Sequence, residues 1–215
     1  MHFFDTQICL TYGSIPRKID SRMVHMKRGL LIILSGPSGV GKGTVRKIFF
    51  DRPELNLAFS ISMTTRSPRN GEVDGVDYSF VSHERFKEAI DNDELLEHAE
   101  FVGNFYGTLL SEVDRLRDLG KNVLLEIEVQ GALQVIAKVP DSLSIFLVPP
   151  SMEELKRRIE GRKTESQEVI DERLAKAAKE MELMNHYRYV IRNEDPQIAA
   201  DAVSLIIKRN IEASI

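Results

Sequence analysis

Residues 29–51, GLLIILSGPSGVGKGTVRKIFFD, constrain this chain more than any other stretch. The run GLLIILS is apolar without alternation, as in a strand covered on both faces of a parallel sheet. A glycine-rich turn follows, and TVRKIFFD then carries a helical pattern that ends before Pro53. Strand, then G-x-x-x-x-G-K, then helix is the arrangement that cradles phosphates. Gly36, Gly39, Gly41 and Gly43 let the backbone bend until successive N–H groups face one centre. The helix adds its positive N-terminal end, and Lys42 adds a point charge for the β and γ phosphates. The expected donor site is therefore Gly36, Pro37, Ser38, Gly39, Val40, Gly41, Lys42, Gly43 and Thr44. One letter departs from the usual pattern. Gly43 stands where a Ser or Thr hydroxyl normally touches Mg²⁺, and Thr44 is expected to contact an inner phosphate instead. Mg²⁺ keeps several waters readily, so it is expected to be held mainly through phosphates and water, with no firm protein ligand.

The rest of the chain alternates strands and helices. FSISMT (59–64), YSFV (78–81), NVLLEIEV (122–129), LSIFLV (143–148) and YVI (189–191) read as strands. Ser82 caps a helix with Phe86 and Ile90 on one face. Ser111 with Asp114, and Ser151 with Glu154, read as capping boxes, the two helices ending near Gly120 and Gly161. A polar helix is expected over 166–186, and Asp195 with Pro196 opens the last one. The fold class is α/β with a mainly parallel sheet. Residues 61–111 break the alternation and read as an insertion of small strands and one helix.

Charge narrows the function. The chain has 215 residues and a net charge of −4. Nonspecific nucleic-acid binders are normally basic, so no nucleic-acid partner is expected. An acidic protein that handles phosphate must gather its positive charge locally, which makes the placement of Arg and Lys informative. No apolar run approaches the roughly 20 residues of a membrane helix, so no membrane partner is expected. The lone Cys9 permits no internal disulfide and fits a reducing compartment. Residues 1–26 show no periodicity and no secretory pattern; they read as a disordered extension, with Met23 and Met26 as alternative starts. Monomer and homo-oligomer both stay open.

Three groups carry the chemistry. Arg66 and Arg69 lie close together beside Tyr78 in a turn-rich stretch, a set suited to a phosphate dianion, which a guanidinium fork grips in bidentate fashion. Glu126 and Glu128 are two apart on a strand, so alternation sends both to the same side of the sheet. Arg158 and Arg162 are four apart, close to one helical face in a charge-dense segment. No histidine reads as catalytic, and His98 reads as shaping its surroundings.

The segments GPSGVGKGT, TTRSPRNGEVDGVDY, EHAEFVGNFYGT, LEIEVQGA and PPSMEELKRRIEGRKTES occur in the order seen in guanylate kinases, above all the bacterial ones, and the likeness runs from about Lys27 to the C-terminus. GKGT also resembles the loop of adenylate kinases, but TTRSPRNGEVDG and Glu97 are guanylate-type. The resemblance implies a P-loop NTPase-type three-layer fold. It has a core (27–60, 112–152 and 184–215), a small α+β GMP-binding lobe (61–111) and a helical lid (153–183). It implies a cytoplasmic kinase that moves the γ-phosphoryl of ATP directly onto GMP or dGMP with Mg²⁺. Arg66, Arg69, Tyr78 and Tyr106 would hold the GMP phosphate. Glu97 would meet guanine, with Ser62 and Thr108 adding hydroxyl contacts. Glu126 and Glu128 would face the acceptor nucleoside or the metal's waters, although Glu128 stands where the family often has Asp. Lys42, Arg66, Arg158, Arg162 and Arg173 would neutralise the transferring charge, and Asn193 would contact adenine.

Overall fold

The computed structural model describes residues 27–101, 103–161 and 166–214. The expected N-terminal extension with Cys9, and Arg162 in the expected lid, lie outside them. In chain order the elements are β1 (Leu31–Ser35), α1 (Lys42–Phe49), β2 (Leu57–Phe59), β3 (Met63–Thr64), β4 (Ser79–Phe80), α2 (His83–Asp91), β5 (Leu95–Phe101) and β6 (Asn104–Leu109). Then come α3 (Leu110–Asp118), β7 (Asn122–Glu126), α4 (Val129–Lys138), β8 (Leu143–Val148), α5 (Met152–Glu160), α6 (Gln167–Met181), β9 (Tyr189–Arg192) and α7 (Pro196–Ala213).

Five strands form a wholly parallel sheet in the order β2-β7-β1-β8-β9. Strand β1 sits at its centre, which is why every one of its residues is buried. Its side chains alternate between two cores. Ile32 and Leu34 join Val45 and Phe49 of α1 and Val203 and Ile207 of α7. Leu31 and Ile33 join Val113 of α3 and Val129, Ala132 and Val135 of α4. The result is three layers, helix–sheet–helix, with the loop after β1 at the carboxyl end of the strands, where open α/β sheets bind ligands.

A second sheet, β4-β3-β6-β5, lies wholly within residues 61–111, and Met63, Phe86, Ala89 and Leu95 form its own small core. A fourth cluster, Leu155, Ile159, Ile170 and Ala177, joins α5 to α6. Among the described residues no helix is long and apolar enough to cross a membrane.

Three sequence expectations are corrected. FSISMT is not one strand: Phe59 ends β2, which pairs with β7 in the large sheet, residues 60–62 belong to no strand, and Met63–Thr64 form β3, which pairs with β6 and β4 in the small one. Alternation reports which side a residue faces but not which partner a strand takes. The strand expected over 122–129 stops at Glu126, and Glu128 is already the N-cap of α4. Ser111 does not cap α3. The helix starts at Leu110 directly out of β6, and the Leu110 N–H donates to the Glu94 carbonyl (2.9 Å), so a backbone acceptor takes the place of a capping side chain. The other caps stand as expected: Ser82 accepts from Arg85 N–H, Ser151 from Glu154 N–H, and Asp195 from Gln197 and Ile198 N–H.

Candidate active site

The loop between β1 and α1 is fixed by close backbone approach. Gly36 has φ 141°, and a Cβ there would lie 2.4 Å from the Leu147 carbonyl oxygen. Gly41, the N-cap of α1, has φ 98°, and a Cβ there would lie 2.7 Å from Asn193 Nδ2. Neither position admits a side chain. Asn193 is 1% exposed, and its Nδ2 donates to the Val40 carbonyl (2.8 Å). Its Oδ1 is buried without a hydrogen-bond partner among the described residues. In this conformation Asn193 is thus a brace on the loop. Asn193→Ala would leave the Val40 carbonyl with only the longer bond from Arg158 (3.3 Å). A loss of stability of ~0.5–1.5 kcal/mol is expected from urea unfolding, with a raised KM for ATP and an unchanged KM for GMP.

Two arginines reach the same loop from helices further along the chain. Arg158, on α5, donates to the carbonyls of Val40 (3.3 Å) and Asn193 (3.1 Å), and its Nε is held by Glu154 (2.8 Å). Arg173, on α6, donates to Ser38 Oγ (2.8 Å). A Cβ at Gly39 would strike Ile159 of α5 at 2.8 Å, so the loop lies directly against that helix.

The Lys42 ammonium curls back onto its own loop, donating to the carbonyls of Gly36 (2.6 Å) and Pro37 (3.3 Å). Enclosure by protein lowers its pKa, while Glu128, Glu126 and Glu180 oppose that by favouring the charged form. The question raised by Gly43 has a structural answer. Glu126 Oε1 lies 3.4 Å from where a Cβ at residue 43 would be, so a carboxylate fills the space beside this glycine. Glu126 Oε2 accepts from Arg46 Nε (2.7 Å), and the Arg46 guanidinium lies over the rings of Phe59 and Phe50 (5.0 and 5.9 Å). Glu128 Oε2 accepts from Lys176 (2.8 Å), which also lies 3.6 Å from the buried Glu180 on α6. Each of the two carboxylates therefore has a cation, as their partial burial requires.

On the small sheet, Arg66 holds Glu72 in a two-pronged pair (2.9 and 2.9 Å), and Glu72 also accepts from the Arg69 N–H (2.7 Å). These donors hold the Glu72 carboxyl below its usual pKa, the Arg66 fork first. The Arg66 guanidinium lies over the rings of Tyr78 (5.4 Å) and Phe80 (5.7 Å), and Tyr78 meets Tyr106 edge-on at 6.1 Å. Glu97, on β5, is 5% exposed. Its Oε1 accepts from the Thr108 hydroxyl (2.6 Å), and burial pushes its pKa up despite that bond and the charge of Lys138. Thr108 itself is fully buried, so in this geometry its hydroxyl serves Glu97.

One cavity of about 290 Å³ joins these parts. It opens on Lys42 from the loop, on Ser62, Tyr78, Glu97 and Tyr106 from the small sheet, and on Glu126 and Glu128 from the end of β7 and the start of α4. The two glutamates share the cavity although the alternation argument for them fails, because the strand ends between them. Arg66 lies over Tyr78, which lines the cavity, and Arg69 is exposed, with its N–H on Glu72. Among the described residues no three His, Cys, Asp or Glu side chains gather closely enough to hold a metal. Sequence reasoning missed Arg46 and Glu72. The signal for Arg46 is its place one turn after Lys42, and for Glu72 its place three residues after Arg69 in the turn-rich stretch.

A family model described as guanylate kinase matches residues 28–210. A guanylate kinase of Bacillus anthracis is 54% identical over 184 residues, 86% of this chain and 90% of that one. A guanylate kinase of Enterococcus faecalis is 56% identical over 181 residues, 84% of this chain and 89% of that one. The crystal structure of guanylate kinase from Anaplasma phagocytophilum superposes with a TM-score of 0.69 at 38% identity, covering 86% of this chain and 87% of that one.

Proposed function

The chain belongs to the guanylate kinase family, and from that premise we propose how its residues divide the work of moving the γ-phosphoryl of ATP onto GMP. It is an ATP:GMP phosphotransferase. The observation that carries the division of roles is the single cavity shared by Lys42 and Glu97. A donor-phosphate lysine and a buried base-reading carboxylate open on one space, so both nucleotides can approach each other there.

Guanine presents N1–H and N2–H₂ side by side, and an ionised Glu97 accepts from both. Adenine offers an acceptor at N1 and would leave that carboxylate desolvated and unpaired. Arg66, Arg69, Tyr78 and Tyr106 take the GMP phosphate, with Glu72 orienting the Arg66 fork, and Ser62 lines the cavity beside them. The loop from Gly36 to Thr44 wraps the ATP phosphates with its N–H groups. Lys42 exchanges its loop carbonyls for phosphate oxygens. Arg158 and Arg173 already touch the loop, and the family resemblance assigns Arg162, four residues after Arg158 in the chain, to the same work. Phosphoryl transfer needs alignment and charge neutralisation more than covalent help, and these cations supply both. Closure of the lid excludes the water that would otherwise take the phosphoryl group.

Mg²⁺ fits this site as a water-bearing ion. Residue 43 has no hydroxyl to offer, and Glu126 stands beside it with one oxygen already on Arg46, so Glu126 would hold the ion through water rather than directly. When bound, the ion would supply charge neutralisation for the transferring phosphoryl group. Asn193 keeps Oδ1 as the atom suited to an adenine amino group. A cytoplasmic location agrees with use of the ATP and GMP pools.

The test is ADP release from ATP and Mg²⁺ with GMP, dGMP, AMP, CMP or UMP offered singly. Release with the guanine nucleotides alone is expected. Release with AMP instead would remove Glu97 from the base site, and folded protein that binds GMP without releasing ADP would be a binding module.

A further inference from the structure

The carboxylate assigned to guanine belongs to the small sheet, yet the surface it leans on belongs to the large one. Glu97 lies against Gly131 in the first turn of α4. A Cβ at residue 131 would lie 2.1 Å from Glu97 Oε2 and 3.0 Å from its Cδ. Glu97 is boxed in on its other side by Thr108, bonded to Oε1 at 2.6 Å. The carboxylate therefore occupies its present place because residue 131 has no side chain. A glycine in a helix interior is unfavourable by propensity, and such a glycine marks a close approach; the approach here is to Glu97.

Two more residues share that stripe of α4. Gln134 and Lys138 lie three and seven positions after Gly131, which places them on the same helical face. The Gln134 side chain holds the backbone of His98, the residue after Glu97, in both directions: Oε1 accepts from His98 N–H (3.2 Å), and Nε2 donates to the His98 carbonyl (2.7 Å). Lys138 donates to the Leu95 carbonyl (3.1 Å), and its charge favours the ionised form of Glu97. Three side-chain positions of one core helix thus fix β5 before, at and after Glu97.

We propose that Gly131 and Gln134 are specificity-determining positioning residues for the acceptor base. Helix α4 sets where the Glu97 carboxylate stands, so the guanine-reading edge is registered to the core that carries Lys42. The proposal rests on Glu97 being the base reader.

Gly131→Ala tests it. The expected result is a rise of about 10–100-fold in KM for GMP, as a misplacement near 1 Å costs a directed contact, with KM for ATP and kcat at saturating GMP little changed. Preference for GMP over IMP, which lacks the N2 amino group, should fall in parallel. The effect should vanish in a Glu97→Ala background, where no carboxylate is left to displace; non-additivity of this kind marks two groups acting as one. Alanine is the better helix former, so α4 itself is not weakened. Gln134→Ala adds no bulk and should also raise KM for GMP without raising KM for ATP, so it carries the test should Gly131→Ala fail to fold. An unchanged KM for GMP in both variants, or equal effects of Gly131→Ala with and without Glu97, overturns the proposal. Failure of Glu97→Ala itself to raise KM for GMP would instead overturn the assignment of Glu97.

Discussion

Replacing Lys42 by alanine is expected to lower turnover by about 10²–10³-fold or more, the range seen when one preorganised donor to developing charge is removed, while GMP binds within a few-fold of the parent chain. The reason lies in the geometry of the loop. Lys42 Nζ is bonded to the Gly36 and Pro37 carbonyls, within the loop proposed to wrap the donor phosphates. Its ammonium is enclosed, and among the described residues no other Lys or Arg opens on the cavity it shares with Glu97. Arg158 and Arg173 approach the loop through Val40 and Ser38, so neither replaces a charge at Lys42. The acceptor side, with Arg66, Tyr78 and Glu97, does not depend on Lys42 for its bonds. Steady-state ADP release and equilibrium binding of GMP measure the two halves separately. Turnover within tenfold of the parent chain would deny Lys42 its role. Loss of GMP binding would mean that the lysine serves the acceptor instead.

Glu97→Gln is expected to cut the preference for GMP over AMP by a large part of the ~10⁴–10⁵ that a polar site can exert when its buried groups lose their partners. The amide keeps the size and the bond to Thr108 but presents one donor where guanine also donates. Ratios of kcat/KM for the two acceptors measure the effect, and an unchanged ratio removes Glu97 from the base site. The same residue gives a pH dependence. Burial raises its folded pKa above the ordinary 4.5. The unliganded protein therefore holds this proton more tightly than the unfolded chain, and the stability so gained is lost as pH rises through the folded value. Guanine donors favour the ionised form, so guanine binding should tighten as pH rises from the ordinary carboxylate value through the raised folded one, and release a proton there. Guanosine is the suitable probe, because the phosphate of GMP titrates near pH 6 on its own. Calorimetry in buffers of differing ionisation enthalpy should show proton release for the parent chain and none for Glu97→Gln.

Much of this molecule is local in origin, and that part was legible in the sequence. An uninterrupted apolar run followed by closely spaced glycines and a lysine has few physical outcomes, and β1, the loop and α1 are that outcome. The caps at Ser82, Ser151 and Asp195 depend on residues two or three apart, so they too were readable. Arg66, Arg69 and Tyr78 were legible as a set suited to a phosphate dianion, but Glu97 and Tyr106 were reached only through motif resemblance, because spacing alone does not say which carboxylate or ring the fold will carry to the same cavity.

What the sequence could not specify was partnership across distance. FSISMT alternates as one strand, yet its first residue ends a strand of the large sheet and its last two form a strand of the small one, since hydrogen-bonding partners are chosen by the whole fold. Glu126 and Glu128 reach one cavity by a strand end and a helix cap, a convergence that alternation had assigned to the wrong cause. Gly43 looked like a missing metal ligand until the fold set Glu126 beside it and Arg46 on that carboxylate, 80 residues away in the chain. Gly131 carries no signal of its own in the sequence; only β5 lying across it places Glu97 where a side chain at 131 would be. The sequence by itself determined the phosphate loop, the α/β alternation and the identity of the charged groups, because each depends on neighbours along the chain. Only the tertiary structure decided which of those charges meet, because enclosure and contact between elements, not spacing, set the position and the proton affinity of a buried side chain.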